Sequence, residues 1–233
     1  MGIILDNPLL RDKRFVFSDR HDAGKKLGAF ILSRGLLQGP VVIAIPAGGV
    51  PVGVEIARTL HAPVSLAIVR KIQVPGNTEA GFGAVTWDGH VLINEHLRAI
   101  LGLSQRDVDT AIAATRRNIR ERIARYVPAR PIPDLGKKCV ILTDDGLASG
   151  YTMLAAITSI RTMHPERVLV AIPTSSVSSA ERIAQEVDEV ICLNIRSGQR
   201  FAVAEAYRRW YDLDDREVIA ELASIADTNG QPE

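Results

Sequence analysis

Short unbroken runs of apolar, largely β-branched residues recur along the chain, separated by stretches of helical spacing. The alternation is most regular in the second half. A strand over Val140–Leu142 is followed by a helix over Thr152–Met163, a strand over Val168–Ile172, a helix over Ser178–Val187 and a strand over Val190–Leu193. A strand that is apolar at every position has to be buried on both faces, as strands of a parallel sheet are. Parallel neighbours need long crossovers, and right-handed crossovers put helices on both sides of the sheet. The pattern predicts an α/β fold with a doubly wound, mostly parallel sheet.

The first half supplies two more such strands, Val41–Ile45, stopped by Pro46, and Val64–Val69. One helix is expected from a cap at Asp22, with Ala23, Leu27, Phe30 and Ile31 on its apolar face, and ends near Gly35; another covers Val52–Leu60. From Arg70 to Asn94 the texture changes. Pro75-Gly76-Asn77 and Gly81-Phe82-Gly83 read as a long mobile loop, and Ala84–Trp87 and Val91–Ile93 as a hairpin turning at Asp88-Gly89. An arginine-rich helix follows, with Ser104 and Asp107 as its cap and Val108, Ile112, Ile119 and Ile123 on one face. Pro128, Pro131 and Pro133 break the chain before the next strand. The expected organisation is one unit over 1–233, with a flexible loop and hairpin at 71–93 and a tail at 194–233. That tail carries Tyr207, Trp210 and Tyr211 and folds over the sheet as a hood.

Charge narrows the function. With 28 basic and 27 acidic residues the net charge is +1, so there is no basic footprint for nucleic acid. An anionic ligand must be held by a local arrangement. No apolar run approaches the roughly 20 residues of a membrane span, and the N-terminus carries no leader pattern, so the chain reads as cytoplasmic, with no membrane partner. Cys139 and Cys192 each adjoin an apolar run and are expected as buried free thiols. The five histidines are dispersed without metal-ligand spacing.

The chemistry concentrates in Val140-Ile141-Leu142-Thr143-Asp144-Asp145-Gly146-Leu147-Ala148-Ser149-Gly150-Tyr151-Thr152. This is a buried strand, two acids at its carboxyl end, a loop of small residues and a helix. Ligands of open α/β sheets bind at strand carboxyl ends. The amides and dipole at the start of the helix favour an anion, and Ser149 and Thr152 add hydroxyl donors. Two carboxylates beside a phosphate must face something else, and sugar hydroxyls suit them because ionised acids accept strong hydrogen bonds. A phosphate site beside a diol site describes a ribose 5-phosphate. Ile45-Pro46-Ala47-Gly48-Gly49 offers a second turn of small residues before a helix, and Arg70-Lys71 places positive charge where the second strand is expected to end.

The segment resembles the 5-phosphoribosyl-1-pyrophosphate (PRPP) signature of the type I phosphoribosyltransferases: apolar strand, two acids, three spacers, Ser or Thr, Gly, one spacer, Ser or Thr. The resemblance implies ribose binding by Asp144 and Asp145, and 5-phosphate binding by Ala148, Ser149, Gly150, Tyr151 and Thr152. It implies pyrophosphate contacts from Ala47 and Gly48, with Arg70 and Lys71 adding charge. Mg²⁺ would be held mainly through PRPP, with Asp144 and Asp145 as its protein ligands. Phe17-Ser18-Asp19-Arg20, the Lys71–Asn77 loop and Trp210-Tyr211 are similar to a subgroup whose acceptor is undefined. Relatives in that subgroup have Arg where Ala47 stands. Relatives acting on 6-oxopurines carry Asp at the position of Ala148, which argues against a hypoxanthine or guanine acceptor. The resemblance further implies a homodimer, closure of residues 71–86 over the site, and a small-molecule, nitrogenous acceptor.

Three functional readings remain open: a transferase that releases pyrophosphate, a PRPP- or nucleotide-sensing regulatory module on the same fold, and a different α/β nucleotide protein. No side chain is assigned to proton transfer. A Walker loop, a dinucleotide fingerprint and a nucleophile elbow are all missing from the sequence.

Overall fold

The computed structural model describes residues 2–35, 39–126, 131–198 and 200–225, the side chains of residues 78 and 79 excepted; Pro128 and the tail beyond residue 225 lie outside them. The first half runs β1 (Ile3–Asp6), α1 (Arg20–Ser33), β2 (Pro40–Ala44), α2 (Gly49–Leu60) and β3 (Val64–Leu66). A middle section contains β4 (Val69–Val74), β5 (Asn77–Thr86), β6 (Val91–Ile93), α3 (Glu95–Ile100) and α4 (Gln105–Tyr126). The rest is β7 (Cys139–Thr143), α5 (Tyr151–Arg161), β8 (Arg167–Ser176), α6 (Val177–Ala184), β9 (Glu189–Arg196), a 3₁₀ turn (Val203–Ala206) and α7 (Asp215–Ala223).

The main sheet has the order β1-β9-β8-β7-β2-β3, and every neighbouring pair in it is parallel. The apolar runs divide between its faces residue by residue. Val42, Ala44, Ile141, Leu169 and Ile191 pack with α1 and α2. Val41, Ile43, Val140, Leu142, Val168, Val170 and Val190 pack with α5 and α6. Two cores on opposite faces are the physical reason these strands need no polar positions, and the predicted doubly wound α/β architecture holds. β1 was not anticipated. It is a short parallel strand on the β9 edge, and Ile3 in it is 65% exposed.

Several local expectations change. The N-cap of α1 is Asp19, whose Oδ1 accepts from the Asp22 amide at 3.0 Å; Asp22 instead accepts from the Ser18 amide at 2.9 Å and the Lys26 ammonium at 2.8 Å. The run expected as one strand over Val64–Val69 divides after Leu66. β3 is the edge of the main sheet, and the chain leaves it there to begin β4 of a separate antiparallel sheet, β4-β5-β6. Residues read as a long loop are therefore paired strands turning at Pro75-Gly76. Gly83 marks close approach: a Cβ there would lie 2.4 Å from the Leu92 carbonyl oxygen across the ladder. The hairpin turn at Asp88-Gly89 and the Ser104–Asp107 cap of α4 match expectation. Helix α3, capped by Asn94, was not foreseen.

Both cysteines are buried and free, and burial pushes the Cys139 thiol up to about 11. No helix among the described residues is long and apolar enough to cross a membrane. The small sheet docks on α5 through Asp88. Its Oδ1 accepts from the Thr86 hydroxyl at 2.5 Å and the Ser159 hydroxyl at 2.7 Å, and its Oδ2 lies 2.9 Å from His90 Nδ1. Burial opposes ionisation of Asp88, yet these hydrogen bonds hold its carboxyl below the usual range. Replacing the acid leaves the buried Ser159 hydroxyl of α5 with only a 3.4 Å contact to His90 Nδ1. Asp88→Ala should lose about 1–3 kcal/mol in denaturant unfolding and speed amide exchange across residues 84–93. Unchanged exchange there would show that the small sheet is held by other contacts.

Candidate functional site

The carboxyl ends of β2 and β7 lie side by side, with Ala44 opposite Thr143. The turn after β2 and the acids after β7 therefore face one another. The Ile45 amide donates to the Thr143 carbonyl at 2.9 Å, and the Pro46–Ala47 peptide is cis. The packing leaves no room for a side chain at Gly48 or Gly49. A Cβ on Gly48 would lie 1.9 Å from Asp145 Oδ2, and one on Gly49 would lie 2.8 Å from the Asp144 Cα. Backbone at 47–49 is thus brought against the acidic pair.

Two adjacent carboxylates in a recess repel each other and lose hydration. Burial, followed by the neighbouring Asp145 charge, pushes the Asp144 carboxyl well above the usual range. Burial also raises Asp145, against the pull of Arg20. Arg20, 6% exposed at the start of α1, donates from Nε to Asp145 Oδ2 at 2.9 Å and from Nη1 to the Tyr211 carbonyl at 2.8 Å. Its guanidinium lies 3.9 Å from the centroid of the Trp210 ring, within cation–π range. The Tyr207 hydroxyl donates to the Asp145 carbonyl at 2.6 Å, and the Asp145 amide donates to Asp144 Oδ1 at 2.8 Å. The hood is thus fastened to the acids directly. Tyr207 is buried, whereas Tyr211 is 56% exposed.

Downstream of the acids, Gly150 begins α5 with a φ of 77°, a left-handed conformation that favours glycine, and no side chain caps the helix. Ser179 donates to the Ala148 carbonyl at 2.5 Å, and Arg182 donates to the Ser149 carbonyl at 2.9 Å. These bonds hold the loop carbonyls toward α6. Ala148 and Ser149 are exposed, and Tyr151 and Thr152 are partly so. The start of α5 is an accessible set of amides suited to an anion.

Arg70 and Lys71 do not end a strand, as the sequence suggested. They lie within β4 and line a cavity of about 640 Å³ between the β4–β5 hairpin and α4, whose lining includes neither the acids nor residues 47–49. A smaller cavity of about 260 Å³ lies under the hood, lined by Asp19, Arg20, His21, Pro51, Arg209, Tyr211, Leu213 and Glu221. There His21 joins three helices: its Nδ1 lies 3.1 Å from Glu55 of α2 and its Nε2 lies 2.9 Å from Glu221 of α7.

Among the described residues no three His, Cys, Asp or Glu side chains cluster as metal ligands. Asp144 and Asp145 could contribute carboxylate oxygens to a divalent cation, but one oxygen of Asp145 is already taken by Arg20. This donor set fits Mg²⁺ held largely by ligand oxygens, and does not fit an all-protein cage. Sequence reading missed Arg20 and Tyr207 as site residues. The usable signal was electrostatic: two adjacent acids at a buried strand end require a cation, and Arg20 stands in a stretch already singled out.

Residues 20–207 match the family model described as "Phosphoribosyl transferase domain". Two strains of Mycobacterium tuberculosis each carry a protein named "Putative phosphoribosyl transferase", 33% identical over 207 residues, which is 89% of this chain and 46% of theirs. The chain thus spans about half the length of these curated relatives. It is also similar to the crystal structure of TT1426 from Thermus thermophilus, at 34% identity and a TM-score of 0.73, covering 89% of this chain and 98% of that one.

Two outcomes test the electrostatics and packing. A buried acid with a raised folded-state value stabilises fully below the ordinary carboxylate range and loses that contribution as pH rises through its own value. The melting temperature of Asp144→Asn relative to the unmodified chain should therefore rise between roughly pH 4 and pH 8; a flat difference would mean that Asp144 ionises normally. Gly48→Ala should displace Asp145 from Arg20 and cost about 1–3 kcal/mol in denaturant unfolding. No loss of stability would show that the turn can move away from the acids.

Proposed function

The chain belongs to the phosphoribosyl transferase family, and on that footing we propose that it binds PRPP with Mg²⁺ and transfers the phosphoribosyl group to a small nitrogenous acceptor. One observation carries the reading: a pair of carboxylates at the end of β7 faces a turn whose Gly48 and Gly49 have no room for a Cβ, and an uncapped helix begins a few residues on. Asp144 and Asp145 accept hydrogen bonds from the ribose hydroxyls. The loop from Ala148 to Thr152 holds the 5-phosphate, and the backbone at Ala47 and Gly48 faces the pyrophosphate.

In this reading the anomeric C–O bond breaks and pyrophosphate leaves with the electron pair, while the acceptor nitrogen forms the new bond to that carbon. The acceptor proton goes to solvent. Positive charge develops on the ring, as in glycoside transition states. The protein's part is alignment, charge compensation and exclusion of water. Arg20 keeps Asp145 oriented and tempers the repulsion between the two acids. Asp144, raised by burial, gives up its proton when sugar hydroxyls or a cation replace it, so uptake strengthens as pH rises. Bound through PRPP oxygens and the two acids, Mg²⁺ would supply charge neutralisation for the leaving group.

The test is calorimetry with PRPP and Mg²⁺, followed by an assay of pyrophosphate release across a panel of nitrogenous bases. Asp144→Asn should weaken PRPP uptake by about 1.5–3 kcal/mol, roughly ten- to a hundredfold. Failure of the unmodified chain to take up PRPP would overturn the proposal. Uptake without pyrophosphate release from any base would assign the chain to regulatory sensing instead.

A further inference from the structure

The cavity between the β4–β5 hairpin and α4 lies outside the pocket just described and is larger than the one under the hood. We propose that it is a second ligand site, taking a phosphomonoester that also carries an N–H or O–H donor, such as a nucleoside monophosphate. The proposal stands independently of PRPP binding. The cavity's volume of about 640 Å³ falls in the range of small-molecule sites.

The anion follows from the charges on the walls. Arg70 on β4 is partly buried and makes no hydrogen bond or ion pair among the described residues. Its nearby acid, Asp215, is already engaged by Arg125 and the Tyr126 hydroxyl. Burial and the neighbouring Arg122 lower the pKa of Arg70, as expected for a cation without its counterion. Lys71 and Arg106 line the same space. The one acid in the lining, Asp107, is committed to the α4 cap, where its Oδ2 accepts from the Ser104 amide at 3.0 Å and the Ser104 hydroxyl at 2.6 Å.

The donor follows from Asn118. Asn118 lines the cavity, and among the described residues its buried Oδ1 has no hydrogen-bond partner; a turn of the side chain brings that oxygen to a ligand donor. The threonines of the wall do not serve it, because Thr110 donates to the Arg106 carbonyl at 2.7 Å and Thr115 to the Ala111 carbonyl at 2.8 Å. Val74, Pro75, Ala111 and Ala114 supply apolar surface for the body of the ligand.

Titration calorimetry of the whole chain with AMP, GMP, adenosine and inorganic phosphate tests the proposal. At least one nucleotide should bind about tenfold or more tightly than adenosine or phosphate. Ala114→Trp, which fills the cavity from an exposed helix position, should abolish that binding, and Asn118→Leu should weaken it about fivefold or more. The melting temperature of Asn118→Leu should be unchanged or higher, because the buried oxygen loses no bond. Ser149→Asp, which puts a carboxylate at the start of α5, should leave nucleotide binding intact. The proposal fails if neither nucleotide binds at millimolar concentration, or if binding survives Ala114→Trp and is lost in Ser149→Asp. PRPP uptake measured in Ala114→Trp keeps the two readings apart: retained uptake preserves the transferase proposal whatever the nucleotides do.

Discussion

The repulsion between Asp144 and Asp145, set at the end of a buried strand, is the constraint that the surrounding structure answers. Neither acid can be fully hydrated there; burial raises both, and the Asp145 charge makes Asp144 harder still to ionise. The fold brings Arg20 across from α1, and the guanidinium is itself accommodated by a ring face on one side and a backbone carbonyl on another. The turn after β2 must then carry glycine at 48, because Asp145 occupies the space that a Cβ there would need. The same crowding that demands glycine leaves bare backbone beside the carboxylates. A pocket that mixes exposed amides with acids suits a ligand that is at once phosphorylated and hydroxylated.

The hood is part of this compensation. Phe17, Tyr207 and Trp210 pack in series, with ring centroids 5.6 Å and 5.1 Å apart, and Trp210 in turn carries Arg20. Helix α7 is tied to α1 and α2 through His21, Glu55 and Glu221, and to the end of α4 through Asp215. Electrostatics at the strand end and packing of the C-terminal segment are therefore coupled through one arginine. The tail is connected to the chemistry by hydrogen bonds and does more than cover an apolar surface.

Much of this was legible beforehand, for identifiable reasons. Runs such as Val140–Leu142 and Val168–Ile172 announce burial on both faces, and the alternation with helices leaves little choice of architecture. The acids, Gly150 and the hydroxyl residues are contiguous in the chain, so a local reading could place them together. The Val64–Val69 run misled because apolar content marks burial and cannot say where a strand changes sheet. Gly81 and Gly83 suggested mobility, whereas Gly83 serves close approach between strands. β1 escaped notice because an edge strand with an exposed Ile3 carries a weak pattern. The capping acid of α1 was misplaced because Asp19 and Asp22 are both plausible caps in sequence, and only the backbone at Asp19 is extended.

By itself the sequence determined the doubly wound, mostly parallel architecture, the burial of its strands on both faces, and the strand-loop-helix that holds the acids, because each depends on neighbouring residues and on the period of their hydrophobicity. The tertiary structure alone decided that Arg20 pairs with Asp145 across 125 positions of chain, that Tyr207 closes on the same residue, and that Arg70 and Lys71 line a cavity against α4. Such choices are made where distant segments are packed together. There, burial and charge have to be balanced in three dimensions, and nothing in the local spacing of residues records which partner will meet that demand.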